Sequence, residues 1–281
     1  MARTLHERIA DARRALVAAG FTPEDAAIDA DALARDVLRW DRATLLTCGG
    51  EQASADFVAK FEAALKRRIN HEPVAFITGH REFWGLDLEV TREVLIPRPE
   101  TELIVEAALE KADPGRPARV VDVGTGSGCL AVALAAELPC ARIVATDIAP
   151  GALGVAARNA RRHGVATRIQ FVRAHLLESF RAPFDLIVAN PPYVSAGAEL
   201  PVDVAAYEPA TALYAGADGL DVLRALIGTA ASHLTNDGAL IVEFGFGQAD
   251  SVRDIAGRAG WGRVNLRNDL QGIPRVAMLS R

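Results

Sequence analysis

The tetrapeptide Asn190-Pro191-Pro192-Tyr193 closes the apolar run Phe184-Asp185-Leu186-Ile187-Val188-Ala189. A buried parallel strand reads as a short continuous apolar run, and two consecutive prolines cannot extend its ladder, so the chain must turn at Asn190. In an open α/β sheet the ligand crevice lies beyond the carboxyl ends of the strands. A turn there holds an amide, a fixed carbonyl and an aromatic ring over that crevice. These groups suit a planar nitrogen. The Asn190 side-chain oxygen can accept one hydrogen of an NH2, the Pro191 carbonyl can accept the other, and the Tyr193 ring can stack on the π face. Pro191 and Pro192 stiffen the loop, so the acceptors are positioned in advance. Taken by itself, the tetrapeptide reads more simply as a structural Pro-Pro turn.

A second constellation lies upstream. Asp122-Val123-Gly124-Thr125-Gly126-Ser127-Gly128 joins a predicted strand to a helix. Its glycines let the backbone turn sharply and approach a ligand closely, and the helix amino terminus offers free N–H groups. The spelling is GxGxG with Cys129 after it, rather than the GxGxxG of a dinucleotide fingerprint. Asp147 stands 23 residues beyond Gly124, at the end of the next predicted strand. A carboxylate there can accept bonds from both hydroxyls of a ribose; ahead of Pro150 it can equally well cap a helix.

The glycine loop, an acid one strand later and Asn190 to Tyr193 after the fourth strand occur in an order that resembles the class I S-adenosylmethionine-dependent methyltransferases acting on amino groups. The resemblance narrows with Phe83-Trp84-Gly85, Ile96-Pro97-Arg98-Pro99-Glu100-Thr101-Glu102, Tyr207-Glu208-Pro209-Ala210-Thr211-Ala212-Leu213 and Glu243-Phe244-Gly245. In this order, and behind a helical amino-terminal part, they look like the peptide chain release factor glutamine methyltransferases (the HemK/PrmC family). The resemblance covers nearly the whole chain. It implies a Rossmann-like, mostly parallel seven-stranded sheet joined by a hairpin to a small N-terminal helical bundle. It implies S-adenosylmethionine as cofactor, and as substrate the glutamine side chain in the Gly-Gly-Gln loop of class 1 release factors.

Carried across residue by residue, the resemblance assigns the methionine part of the cofactor to Gly124, Thr125, Gly126, Ser127 and Gly128, and the ribose to Asp147. The substrate amide falls to Asn190, Pro191, Pro192 and Tyr193, with Asn190 bordering the cofactor as well. One position departs from the family pattern. Arg173-Ala174-His175-Leu176 lacks the acid that many members place beside adenine, which leaves that contact to the backbone or to His175. An amide nitrogen is a poor nucleophile because its lone pair is delocalised into the carbonyl. Two acceptors on its hydrogens favour a tetrahedral nitrogen and stabilise the positive charge that develops during in-line attack. No dedicated base is assigned. Glu208 and Glu243 are candidates to take the proton later, although a structural role is the stronger reading of each. A ribosomal-protein glutamine or an exocyclic amine of a nucleic acid are the alternative substrates.

The elements that must carry these residues fall into three parts. Residues 1–72 are expected to form a helical domain that docks the substrate, 73–98 a linker with a short β-hairpin, and 99–281 the methyltransferase domain. The first part shows helical periodicity: Leu5, Ile9, Leu16 and Val17 mark one face, Ile28, Leu33, Val37 and Leu38 a second, and Phe57, Val58, Phe61, Leu65 and Ile69 a third. After Pro117 strands and helices alternate: strands at 119–123, 142–147, 169–172, 184–189 and 239–244, helices at 127–136, 150–163, 218–233 and 249–259, then two final strands. Alternation of this kind implies a mostly parallel sheet covered on both faces.

Composition agrees with an ordinary globular chain of 281 residues, 50% of them hydrophobic. Residues 1–75 carry 11 Lys+Arg against 12 Asp+Glu within a net charge of −5, so no region has the positive excess that phosphate-backbone binding needs. This weighs against a nucleic-acid partner. Cys48, Cys129 and Cys140 form no CxxC, the histidines show no ligand spacing, and no metal is expected. No signal-type segment or apolar run of membrane-spanning length appears, so the expected location is the cytoplasm, without membrane attachment.

Overall fold

The computed structural model describes residues 3–181 and 183–281; Met1, Ala2 and Ala182 lie outside it. Contacts divide the chain into two compact units, one of residues up to Gly79 with Pro201–Tyr207, the other of His80–Leu200 and Glu208–Arg281.

The first unit contains α1 (Leu5–Ala18), α2 (Pro23–Leu38), α3 (Arg42–Cys48), α4 (Ala55–Ile69) and α5 (Val74–Thr78). Each of the first four begins at a side-chain cap. The oxygens of Thr4, Thr22, Asp41 and Ser54 accept from the backbone N–H three residues on, and Thr4 and Glu7 form a capping box. Leu5, Ile9, Leu16, Leu33, Phe57 and Phe61 fill the core between them. Ile28, expected on the apolar face of α2, is 66% exposed; the small side chains of Ala26, Ala30 and Ala34 line that face instead and let the helices approach closely. The unit runs past the expected boundary at residue 72, because α5 packs on α2 and α4. Arg68 is buried within the unit, paired with Asp29 at 2.6 Å and lying over the Phe21 ring.

The second unit opens with a hairpin of β1 (His80–Phe83) and β2 (Leu86–Glu89). Its two-residue turn, Trp84-Gly85, has positive φ at both positions, the geometry that matches the twist of paired strands. There follow α6 (Glu102–Lys111), β3 (Arg119–Val123), α7 (Cys129–Glu137), β4 (Arg142–Asp147), α8 (Pro150–Arg162), β5 (Ile169–Arg173) and β6 (Phe184–Ala189). After α9 (Val202–Tyr207), which belongs to the first unit, come α10 (Asp221–Ala230), β7 (Leu234–Glu243), α11 (Ala249–Arg258), β8 (Arg263–Asn268) and β9 (Pro274–Ser280).

The strands form one seven-stranded sheet in the order β5-β4-β3-β6-β7-β9-β8, parallel from β5 to β7 and closed by the antiparallel pair β9 and β8. Both faces are covered: one core includes Ile104, Leu130, Leu134 and Ile143, the other Leu223, Leu226, Leu240 and Val252. The chain winds outward from β3 to β5 and then crosses back to lay β6 on the other side of β3. That reversal is the switch point at which open α/β sheets bind ligands. Val123 is paired with Ala189, so the loops beginning at Gly124 and Asn190 leave the sheet side by side.

Among the boundaries that differ from expectation, three have local reasons. α7 starts at Cys129 rather than Ser127 because Gly128, its cap, has φ +82°. α10 starts after Gly219, whose φ of +76° ends the preceding turn. β7 reaches back to Leu234 through a register shift opposite Phe184 to Leu186.

Candidate active site

The two loops at the switch point border a cavity of about 330 Å³. Along one wall run Gly124, Thr125, Gly126 and Ser127. The three glycines Gly124, Gly126 and Gly128 all have positive φ, which only glycine adopts without strain. The bend is tied to the next strand by the N–H groups of Gly124 and Thr125, which donate to the Thr146 carbonyl at 2.9 and 2.7 Å. Gly128 cannot carry a side chain, since a Cβ there would meet that of Ala156 at 2.9 Å. Behind the bend, Asn159 donates to the Ser127 carbonyl at 2.8 Å and also grips the Glu89 backbone through both ends of its amide.

Asp122 lies under this loop, fully buried. Its Oδ2 accepts from Thr125 Oγ1 at 2.6 Å and from the Ala131 N–H at 3.2 Å, while Oδ1 has no partner. Burial outweighs those bonds and pushes its pKa from 3.8 up to about 7. A carboxyl raised on folding contributes stability that is complete below pH 3.8 and is lost as pH rises through 7. Asp122→Asn should therefore flatten the loss of stability between about pH 5 and pH 8 by on the order of 2 kcal/mol, read by urea unfolding. Identical pH dependence in the two proteins would contradict this account.

Asp147 lines the cavity at the end of β4. Its oxygens accept from the N–H groups of Gly126 at 3.0 Å and Ala149 at 2.9 Å, which fixes the carboxylate and leaves further lone pairs for a ligand. It is not the cap of α8; that position is Ala149. Ala174, His175 and Leu176 line the cavity after β5, and His175 Nδ1 bonds to Glu178 at 2.8 Å.

Asn190, Pro191 and Pro192, in the neighbouring loop, also line the cavity. The Asn190 Nδ2 donates to Thr101 Oγ1 at 2.9 Å, and its Oδ1 is buried with no partner. Thr101 Oγ1 donates to Glu243 Oε2 at 2.7 Å, and the Tyr193 hydroxyl donates to Glu243 Oε1 at 3.0 Å. The Tyr193 ring, expected to stack over the substrate, is not part of the cavity lining. It packs against the core that includes Leu223, Leu226, Leu240 and Val252, and a Cβ at Gly245 would touch it at 3.1 Å. Its hydroxyl and carbonyl tie the corner down: Gln248 Nε2 donates to the Tyr193 carbonyl at 3.0 Å. Burial, with the Glu243 charge beside it, pushes the phenol above its usual range and keeps it a donor.

Glu208 holds the loop carrying Arg98: it is ion-paired to that guanidinium and accepts from the Ile96 N–H at 3.2 Å. Pro209, Thr211, Ala212 and Tyr214, which follow it, complete the cavity wall. Thr101, Gln248 and Gly219 were not singled out by sequence. The first two lie in or beside the quoted motifs, whereas Gly219 gave no signal. Among the described residues no group of three or more His, Cys, Asp or Glu side chains could hold a metal ion, and no helix is long and apolar enough to cross a membrane.

The chemistry of the lining fits a nucleoside carrying a charged amino-acid tail. It offers a glycine backbone at close approach, the partnerless buried Oγ of Ser127, and a fixed carboxylate one strand away.

Comparison with known proteins bears on the whole chain. The PrmC N-terminal domain family matches residues 7–79 and the methyltransferase small domain family residues 99–207. A release factor glutamine methyltransferase of Cereibacter sphaeroides is 43% identical over 275 residues, 96% of this chain and 97% of that protein. One from Moorella thermoacetica is 41% identical over 92% of this chain and 91% of its own. Among solved structures, the catalytic domain of human METTL16 bound to an RNA hairpin superposes with a TM-score of 0.57 at 18% identity, over 74% of this chain and 80% of that one. A methyltransferase from Pyrococcus furiosus gives 0.53 at 15%, over 78% and 98%. At these identities the two structures speak to the fold alone, which is that of a class I methyltransferase sheet.

Proposed function

The chain belongs to the release factor glutamine methyltransferases, and on that premise we propose that it transfers a methyl group from S-adenosylmethionine to the side-chain nitrogen of the glutamine in the Gly-Gly-Gln loop of class 1 release factors. The observation that carries the reading is the buried, partnerless Oδ1 of Asn190 beside the glycine bend. An acceptor in that position costs free energy unless something donates to it, and a primary amide supplies the donor.

S-adenosylmethionine, when bound, supplies a methyl group made electrophilic by its sulfonium. Gly124 to Gly128 would hold its methionine part, Asp147 its ribose hydroxyls, and the segment from Ala174 to Leu176 would border its adenine. Asn190 Oδ1 and the Pro191 carbonyl would each accept one hydrogen of the glutamine NH2. Two acceptors draw the nitrogen toward tetrahedral geometry and stabilise the charge it develops, so the chain contributes preorganised electrostatics rather than a proton-abstracting base. Glu243 is already committed to Thr101 and Tyr193, and Glu208 to the Arg98 loop, which supports structural roles for both. The helical unit would dock the body of the release factor, and the cytoplasm would be the place of action.

The test is transfer from methyl-labelled S-adenosylmethionine to a purified class 1 release factor, a ribosomal protein fraction and duplex DNA in separate reactions. Label should enter the release factor, and mass spectrometry should place it on the glutamine side chain. Label confined to ribosomal protein or to DNA would overturn the substrate assignment.

A further inference from the structure

A carboxamide is nearly symmetric in shape, and rotating it by half a turn exchanges an acceptor for a donor. Asn190 is useful to an amide substrate in one orientation only. Turned round, its NH2 would face the substrate NH2, donor against donor. Packing cannot choose between the two, so a neighbour must. The neighbour is Thr101 Oγ1, 2.9 Å from Nδ2. A hydroxyl can donate or accept, and alone it would tolerate either orientation.

The next group removes the ambiguity. A carboxylate accepts and cannot donate. Glu243 Oε2 lies 2.7 Å from Thr101 Oγ1 and takes its proton, so the hydroxyl can only accept from Asn190. The other carboxylate oxygen is occupied by the Tyr193 hydroxyl, which fixes Glu243 in turn. Thr101 is 1% and Glu243 2% exposed, so no bulk water intervenes. We propose that Glu243, acting through Thr101, sets the orientation of the Asn190 carboxamide and thereby presents an acceptor rather than a donor to the reacting nitrogen. This makes Thr101 and Glu243 positioning residues, and it rests on the reading of Asn190 given above.

The device has a pH dependence. Burial pushes Glu243 from 4.5 up to about 7, helped by the charge of Glu100 and opposed by the bonds from Thr101 and Tyr193 and by Arg275. The Glu243 charge also acts on the Cys129 thiol, and the charges of Arg98 and Arg275 act on Tyr193. As pH falls through this range Glu243 gains a proton. It can then donate to Thr101, whose own proton turns toward Asn190 and favours the wrong amide orientation. Turnover should therefore rise with pH through about 7.

The experiment measures kcat for release factor methylation from about pH 5.5 to 8.5, with S-adenosylhomocysteine affinity by calorimetry, for the wild type and four variants. Thr101→Val keeps the shape but cannot accept, and should lower kcat roughly 10- to 100-fold with cofactor affinity within about threefold of wild type. Thr101→Ser should restore most of the rate. Glu243→Gln, which has no proton to gain, should lose the acid limb of the kcat profile whatever its absolute rate. Asn190→Ala separates the two levels of argument. Asn190→Ala inactive with Thr101→Val within about threefold of wild type would overturn this inference and leave the catalytic reading intact; an active Asn190→Ala would overturn both. An unchanged acid limb in Glu243→Gln would also overturn it. Should the valine and glutamine variants fail to fold, a wild-type kcat that is flat between about pH 6 and 8 overturns it by itself.

Discussion

Asn190→Ala is expected to lower kcat for glutamine methylation by on the order of 10²- to 10³-fold, with S-adenosylhomocysteine bound within about threefold as tightly as by the wild type. The expectation follows from what the side chain touches. Its Nδ2 is satisfied by Thr101, so truncation removes one internal bond from a site that keeps both prolines and the Gln248 clamp on the Tyr193 carbonyl. The corner should stay folded. What disappears is Oδ1, a buried oxygen with no other employment. Because an amide nitrogen acquires its acidity only as the new bond forms, the lost acceptor matters more in the transition state than in the ground state, and the loss should appear in kcat rather than KM. A variant with normal kcat and a raised KM would mean that Asn190 only binds the substrate.

Much of this arrangement was legible in the chain itself, and the exceptions share a cause. β3, β4 and β6 are short apolar runs flanked by glycine, acid or proline, so their carboxyl ends could be located, and with them Gly124, Asp147 and Asn190. Those signals are local. The network behind Asn190 is not: its bonds Asn190–Thr101, Thr101–Glu243 and Tyr193–Glu243 span 89, 142 and 50 positions along the chain, and nothing in the spacing of a threonine and a glutamate announces a hydrogen bond between them. The same holds for Gln248, which reads as an ordinary residue ahead of a helix until its amide is seen on the Tyr193 carbonyl. Segment 201–207 lacks the periodicity to show that it belongs with the helical unit, and Ile28 shows that a hydrophobic residue at helical spacing can still face outward when alanines supply the buried stripe. The expectation for Tyr193 concerns its ring, and the bonds of its hydroxyl to Glu243 and of its carbonyl to Gln248 add an anchoring role that residue type alone does not announce.

Gly219→Ala should damage the catalytic corner from behind, lowering stability by about 3 kcal/mol and kcat by more than tenfold. Gly219 has φ +76°, and a Cβ placed on it would come 2.3 Å from the Tyr193 carbonyl oxygen and 3.0 Å from the Ser195 N–H nitrogen. Both are backbone atoms, so no side-chain rotation relieves the overlap. The left-handed conformation accounts for roughly 1–2 kcal/mol of the loss, and displacement of a packed segment for a further 1–3 kcal/mol. The Tyr193 carbonyl is also the acceptor for Gln248 Nε2, so pushing it away breaks the clamp that holds the proline turn to the start of α11. Gly164→Ala provides the comparison: its φ is +71°, but nothing lies within 4 Å of the added carbon, and it follows α8 rather than bordering the cavity. It should show the conformational part of the loss alone, with unchanged turnover of the folded protein. Thermal melting and steady-state methylation of the two variants side by side distinguish close approach from φ. If Gly219→Ala melts and turns over like Gly164→Ala, then the corner does not depend on the glycine behind it, and the rigidity ascribed to Asn190 must come from the prolines alone.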